Sequence, residues 1–152
     1  MAGVSSATGS QIVFDAGVLI AIFDEGDAHS EWARRVYRDS TSARLLASAL
    51  TVSESIVHAA RDGKALAGHD SVRALDIDVV PLIEGDVVPL AELRARSRLR
   101  MPDAVVLHTA IRERAAIATT DARLARIARE HGVEACAPDD ENGPLDVAYE
   151  GG

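Results

Sequence analysis

Aromatic residues, lysine and cysteine are nearly missing from this chain. Two Phe, two Tyr and one Trp make up 3% of its 152 residues, so its core must be built from Ala, Val, Leu and Ile. Cys136 is the only cysteine. That excludes a disulfide framework and a cysteine-based zinc site and leaves a buried, bystander thiol. His29, His58, His69, His108 and His131 share no ligand spacing, which excludes a histidine zinc site on the same grounds. No apolar run approaches the ~18 residues of a membrane span, and no basic region followed by an apolar one opens the chain. A cytoplasmic protein with no membrane partner is expected.

Positive charge is short as well. The net charge is −8, which on its face disfavours nucleic-acid binding. The charge is uneven, however. Five of the 24 acids (Asp139, Asp140, Glu141, Asp146 and Glu150) fall in residues 138–152 with no base among them, leaving the rest at 19 acids against 16 bases. A mildly acidic body still binds nucleic acid where a metal covers some of its acids. Residues 1–10, small and uncharged, read as a disordered leader, residues 11–137 as one domain, and residues 138–152 as an acidic, disordered tail.

What the chain does have is alternation of short apolar runs with amphipathic stretches. Gln11–Phe14, Arg44–Ser48, Asp78–Leu82, Ala115–Ala118 and Val133–Ala135 read as strands. Between them, Val18–Phe23, His29–Arg38, Thr51–Arg61 (closed by Gly63), Leu66–Leu75, Asp86–Arg98 and a segment opening on Pro102–Asp103 read as helices. In Asp86–Arg98, Val88, Leu90 and Leu93 are expected to face inward. A last helix begins at Thr119–Thr120–Asp121. Strands alternating with helices imply a five-stranded parallel sheet in an α/β/α sandwich. A phosphoacceptor receiver domain has the same outline but needs an Asp ending the third strand and a Lys after the fifth. Here the acids of DVVPLIEGD lie past Pro81 and the one lysine, Lys64, comes far too early.

In a parallel sheet, ligands bind beyond the carboxyl ends of the strands. Asp15 directly follows strand one, Glu54 begins the helix after strand two, Asp121 follows strand four, and Asp103 opens the helix leading into it. Each has a local explanation. Asp15 and Asp121 suit N-caps, Thr51-x-x-Glu54 fits a capping box, and Asp103 beside Pro102 suits a helix dipole. Together they pose a different problem. Four carboxylates at one edge repel one another and raise each other's pKa, and helix dipoles offset only ~0.3–1 kcal/mol each. A hard divalent cation, Mg²⁺ or Mn²⁺, offsets far more and takes all-oxygen ligands.

Four segments, IVFDAGVLIAIF, LTVSESIVHA, RMPDAVVLHTAIRE and AIATTDARLARIA, carry these acids in an order and spacing that resembles the PIN domain, and within it the VapC-type toxin ribonucleases of toxin–antitoxin pairs. The resemblance runs from Ile12 to Pro138. It implies that Asp15, Glu54, Asp103 and Asp121 are the catalytic and metal-binding quartet of a Mg²⁺- or Mn²⁺-dependent endoribonuclease. It also implies a homodimer and a cognate antitoxin that places a basic segment into the acidic site. Arg100 and Arg123, nearest the acids in sequence, are the candidates for holding the RNA backbone. The remaining arginines suit a solvated helix face with Glu92 and Glu113. Two positions depart from the family. Ala16–Gly17 stand where it carries hydroxyl or amide side chains after the first Asp, leaving Thr119 or Thr120 to supply a hydroxyl, and Arg123 replaces an Asp or Asn. The first departure keeps a second reading open, a catalytically silent PIN-like module that binds RNA or protein.

Overall fold

The short apolar runs form strands buried on both faces, so that they separate two cores. The computed structural model describes residues 10–138; the leader and tail expected at the two ends otherwise lie outside them. The chain runs β1 (Gln11–Phe14), α1 (Ala16–Phe23), α2 (Ser30–Asp39), β2 (Arg44–Ser48), α3 (Ala49–Ser55), α4 (Val57–Arg61), α5 (Ala65–Ala74) and β3 (Ile77–Val80). It continues through a 3-10 turn (Glu84–Asp86), α6 (Val87–Ser97), α7 (Met101–Glu113), β4 (Ala116–Ala118), α8 (Ala122–Glu130) and β5 (Ala135–Cys136). All strand pairings are parallel, in the order β3-β2-β1-β4-β5. The expected five-stranded α/β/α sandwich is therefore present. Among the described residues no helix is long and apolar enough to cross a membrane.

Val13, Leu46 and Ile117 point to one face of the sheet, where α6, α7 and α8 pack over them. Ile12, Phe14, Leu45, Ala47 and Ala118 point to the other, against α1, α2, Val52 of α3 and Val72 of α5. Period-two alternation along each strand places the two sets on opposite sides. The buried aromatics among the described residues, Phe14 and Trp32, are both in the second cluster, with Tyr37 packed against it; Trp32 thus belongs to the core. Cys136 is buried in the same cluster.

Several boundaries differ from the sequence reading. The expected helix Thr51–Arg61 is two helices. Backbone geometry leaves the helical range at Ile56 (φ −108°, ψ 12°), which caps α3 and begins α4. Gly63 does end the second, at φ +73°, a left-handed conformation that favours glycine. The last strand is Ala135–Cys136 rather than Val133–Ala135, because Val133 is still tied to the end of α8 through its N–H to Ala128 O (2.9 Å). Val88 does not face inward. It is 62% exposed, whereas Leu90 and Leu93 are buried; α6 buries a narrower stripe than expected.

Helix α7 is pinned near the C-terminal end of its buried run. Ala104–Ala110 is buried without interruption, and near its end His108 and Arg112 close on the carboxylate that begins α6. The buried Asp86 takes His108 Nε2 at 2.8 Å on Oδ1, Arg112 Nη1 at 2.6 Å on Oδ2 and the Ile83 N–H at 2.9 Å. Arg112 is therefore a clamp rather than part of a solvated face, although it also meets Glu113 (3.1 Å). The His108 hydrogen bond, then the Ile83 N–H and Arg112, hold the Asp86 carboxyl well below the usual carboxylate range. A depressed pKa stabilises the fold above the ordinary value of 3.8 and ceases to do so as pH falls through the lower folded value. Asp86→Ala is expected to lower unfolding free energy at pH 7 by roughly 3 kcal/mol. Chemical denaturation across pH is the check, with the difference shrinking only in strong acid.

Candidate active site

The strand order reverses between β1 and β4: the chain lays β2 and β3 to one side of β1 and β4 and β5 to the other. Such a switch point opens a crevice at the carboxyl edge of the sheet. Asp15 leaves β1 and Asp121 follows β4 at this point. Asp15 is 7% exposed and is the N-cap of α1, with Oδ1 accepting the Val18 N–H at 2.8 Å. Its Oδ2 accepts the hydroxyl of Thr119. The same Thr119 oxygen accepts the Asp121 N–H at 2.9 Å, so one fully buried threonine joins the two acids across the switch point. Asp121 caps α8 through Oδ1, which accepts from Arg123 N and Leu124 N (2.9 and 3.3 Å). The two N-cap readings are thus correct, and each cap occupies only part of its carboxylate.

Of the other two local explanations, the capping box at Glu54 fails and the dipole reading of Asp103 holds. Helix α3 is capped by Ser48, whose Oγ accepts the Thr51 N–H at 3.0 Å. Ser48 leaves β2 with extended geometry (φ −68°, ψ 155°), the conformation an N-cap needs. The expected capping box between Thr51 and Glu54 is therefore absent, and Glu54 sits in the second turn of α3 rather than the first. Asp103 lies in the first turn of α7, beside Pro102, where the dipole favours it, but it caps no N–H. Both carboxylates are half-buried and committed to no helix end.

Electrostatics ties the four together with Asp103 at the hub. Burial, and to a smaller degree Asp103, push the Asp15 carboxyl up to about 6, against the hydrogen bonds from Thr119, Val18 and Thr120. Glu54 is raised by burial and by Asp103 and lowered by Arg100. Asp103 is raised by burial and by Asp121, and lowered by Arg100 and Arg123. The structure thus brings Asp15, Glu54 and Asp121 each within electrostatic reach of Asp103, and it places Arg100 and Arg123 within reach of Asp103 as well. Arg96 instead reaches Glu92 (3.8 Å) on an open helix face, and His58 is exposed on α4, beyond the break. A cavity of about 410 Å³ between α6 and the start of α7 is lined by Arg94, Arg98 and apolar groups and contains none of the acids.

Among the described residues no three His, Cys, Asp or Glu side chains close into a compact cage. The donor set still fits a hard divalent cation. It is all oxygen, half-buried or buried, and Asp15, Glu54 and Asp103 carry raised carboxyl pKa values that a cation would reverse. Sequence reasoning left open whether Thr119 or Thr120 serves Asp15; it is the Thr119 hydroxyl, with a backbone N–H from Thr120. A carboxyl raised from 3.8 to about 6 destabilises the fold once ionised, so its contribution is present below 3.8 and lost as pH rises through 6. Asp15→Asn is expected to raise unfolding free energy by roughly 1–3 kcal/mol at pH 8 in chelator, and by little at pH 4. Paired melting curves at the two pH values check this; equal differences at both would contradict the burial of an ionising Asp15.

Comparison with known proteins bears on the fold and the family. No curated protein sequence matches the chain. Among solved structures it is similar to the Mycobacterium tuberculosis toxin VapC20, described as cleaving the sarcin-ricin loop (TM-score 0.63, 16% identity, 76% of this chain and 94% of that one). It is also similar to a toxin–antitoxin complex from Klebsiella pneumoniae (TM-score 0.59, 22% identity, 72% and 86%). A third likeness is PAE2754 from Pyrobaculum aerophilum (TM-score 0.55, 17% identity, 83% of each chain). These likenesses concern the fold. The sequence model of the PIN domain matches residues 12–130, a span that runs from within β1 to the end of α8 and holds all four acids: the chain belongs to the PIN domain family.

Proposed function

We propose that this protein is a Mg²⁺- or Mn²⁺-dependent endoribonuclease, the toxin of a VapBC-type toxin–antitoxin pair, acting on RNA in the cytoplasm. The observation that carries the reading is the coupling of Asp15, Glu54 and Asp121 through Asp103 at the switch point of the sheet. Asp15 and Asp103 are the metal ligands best placed by chemistry, being the most strongly desolvated and the most coupled of the four. Glu54 and Asp121 either hold a second ion or orient the attacking water. A cation held there would polarise a phosphate oxygen and lower the pKa of a coordinated water, the chemistry that in-line phosphodiester hydrolysis needs. Arg100 and Arg123 neutralise phosphates flanking the cut, which lets an acidic protein hold RNA. The expected products carry a 5′-phosphate and a 3′-hydroxyl.

The silent-module reading rested on the missing hydroxyl after Asp15. Thr119 gives Asp15 a hydroxyl from across the cleft, which supports the enzyme. The likeness to a toxin–antitoxin complex supports a protein antitoxin as partner. A basic segment from it would neutralise the same four acids, and a homodimer goes with this reading. Asp103→Asn removes the hub charge without disturbing a cap. It is expected to fold, to melt no lower than the parent, and to lose metal-dependent RNA cleavage by at least ~100-fold. Cleavage at the parental rate by the purified variant would remove the quartet from the mechanism.

A further inference from the structure

Gly17, the second residue of α1, lies against the turn that joins β4 to α8. A β-carbon on Gly17 would fall 2.1 Å from Thr120 Oγ1, 3.3 Å from Thr120 Cβ and 3.4 Å from Asp15 Oδ1. The hydroxyl of Thr120 therefore fills the space that any side chain at position 17 would take, and that space borders the Asp15 carboxylate. No α-carbon strain calls for glycine here, since Gly17 is not among the residues with positive φ. What requires glycine is the neighbour.

The two adjacent threonines divide their work. Thr119 is fully buried, and its hydroxyl is used twice, donating to Asp15 and accepting from the Asp121 N–H. Thr120 gives its backbone N–H to Asp15. Its hydroxyl makes no hydrogen bond to protein among the described residues, and its side chain is only half-buried. It is thus a polar group with spare donor and acceptor capacity at the mouth of a buried carboxylate.

We propose that Thr120 is a positioning residue whose hydroxyl holds a water of the hydration shell of a cation bound at Asp15, and that Gly17 is required to admit it. The proposal rests on the cation-binding reading of the quartet. Magnesium-like ions keep several waters, and hydrogen bonds to such outer ligands tune affinity by ~10–100-fold. The hydroxyl missing from α1 after Asp15 is then supplied from the opposite wall of the crevice, by the β4–α8 turn.

The test uses the full chain and Mn²⁺ uptake read by the electron spin resonance of the free ion, alongside thermal unfolding and RNA cleavage. Thr120→Val keeps the volume and removes the hydroxyl. It is expected to melt with the parent, bind Mn²⁺ ~10-fold more weakly and cleave less. Thr120→Ser is expected to restore the affinity lost in the valine variant. Gly17→Ala is expected to lower both melting temperature and Mn²⁺ affinity, since Thr120 must be expelled from its place. Gly17→Ser combined with Thr120→Ala returns a hydroxyl from the α1 side and is expected to recover Mn²⁺ binding. If the parent binds Mn²⁺ and Thr120→Val binds it equally, the role of Thr120 is overturned while the quartet stands. If the parent takes up no Mn²⁺, the cation reading fails and this role with it. If Gly17→Ala changes nothing, Gly17 is not the gate for Thr120.

Discussion

Burial, and to a smaller degree mutual repulsion, of carboxylates gathered at one edge of a parallel sheet is the constraint on which this structure turns. Asp103 touches the balance of every partner: it raises Asp15 and Glu54 and is raised in turn by Asp121. Burial works in the same direction at Asp15, Glu54 and Asp103. Against it stand Arg100 and Arg123, the dipoles of α1, α7 and α8, and the Thr119 hydroxyl shared between Asp15 and Asp121. None of these equals a divalent charge at close range. A protein that keeps this arrangement accepts lower stability at neutral pH, and under the proposed function that stability is traded for cation binding, the usual opposition between stability and activity.

The fold fixes the acids by giving each a rigid carrier. Helix α7 is buried from Ala104 to Ala110, so Asp103 cannot rotate away from the crevice without unpacking the core. The Asp86–His108–Arg112 clamp secures the far end of the same helix. Asp15 and Asp121 are set by their own caps, each spending one oxygen on backbone N–H groups. The caps are part of the site's construction, since they orient the other oxygen of each carboxylate.

Sequence pattern revealed the parts governed by local chemistry. Strand alternation, the strand–Asp–helix unit at Phe14–Asp15, and Gly63 as a helix stop were all legible, as were the four acids as a set. What was hidden depends on contacts distant in sequence. Nothing near Val88 shows that α6 buries only Leu90 and Leu93, because the width of a buried stripe is set by the opposing layer. The Asp86 clamp joins residues 22 and 26 apart, and charged residues at such spacing read as surface. Thr51-x-x-Glu54 satisfied a capping pattern, yet Ser48 lay one strand end earlier and took the role. Gly17 read as a missing side chain; only three dimensions show Thr120 standing in its place.

A metal-activated water and a leaving 3′-oxygen make a prediction about the ends of the product, independent of which RNA is preferred. The direct measurement is to incubate the purified chain with Mn²⁺ and a mixed RNA pool, then map the cut ends. Fragments with 5′-phosphate and 3′-hydroxyl ends that disappear in chelator are the predicted result. Intact RNA, or chelator-insensitive cuts ending in 2′,3′-cyclic phosphate, would contradict the account.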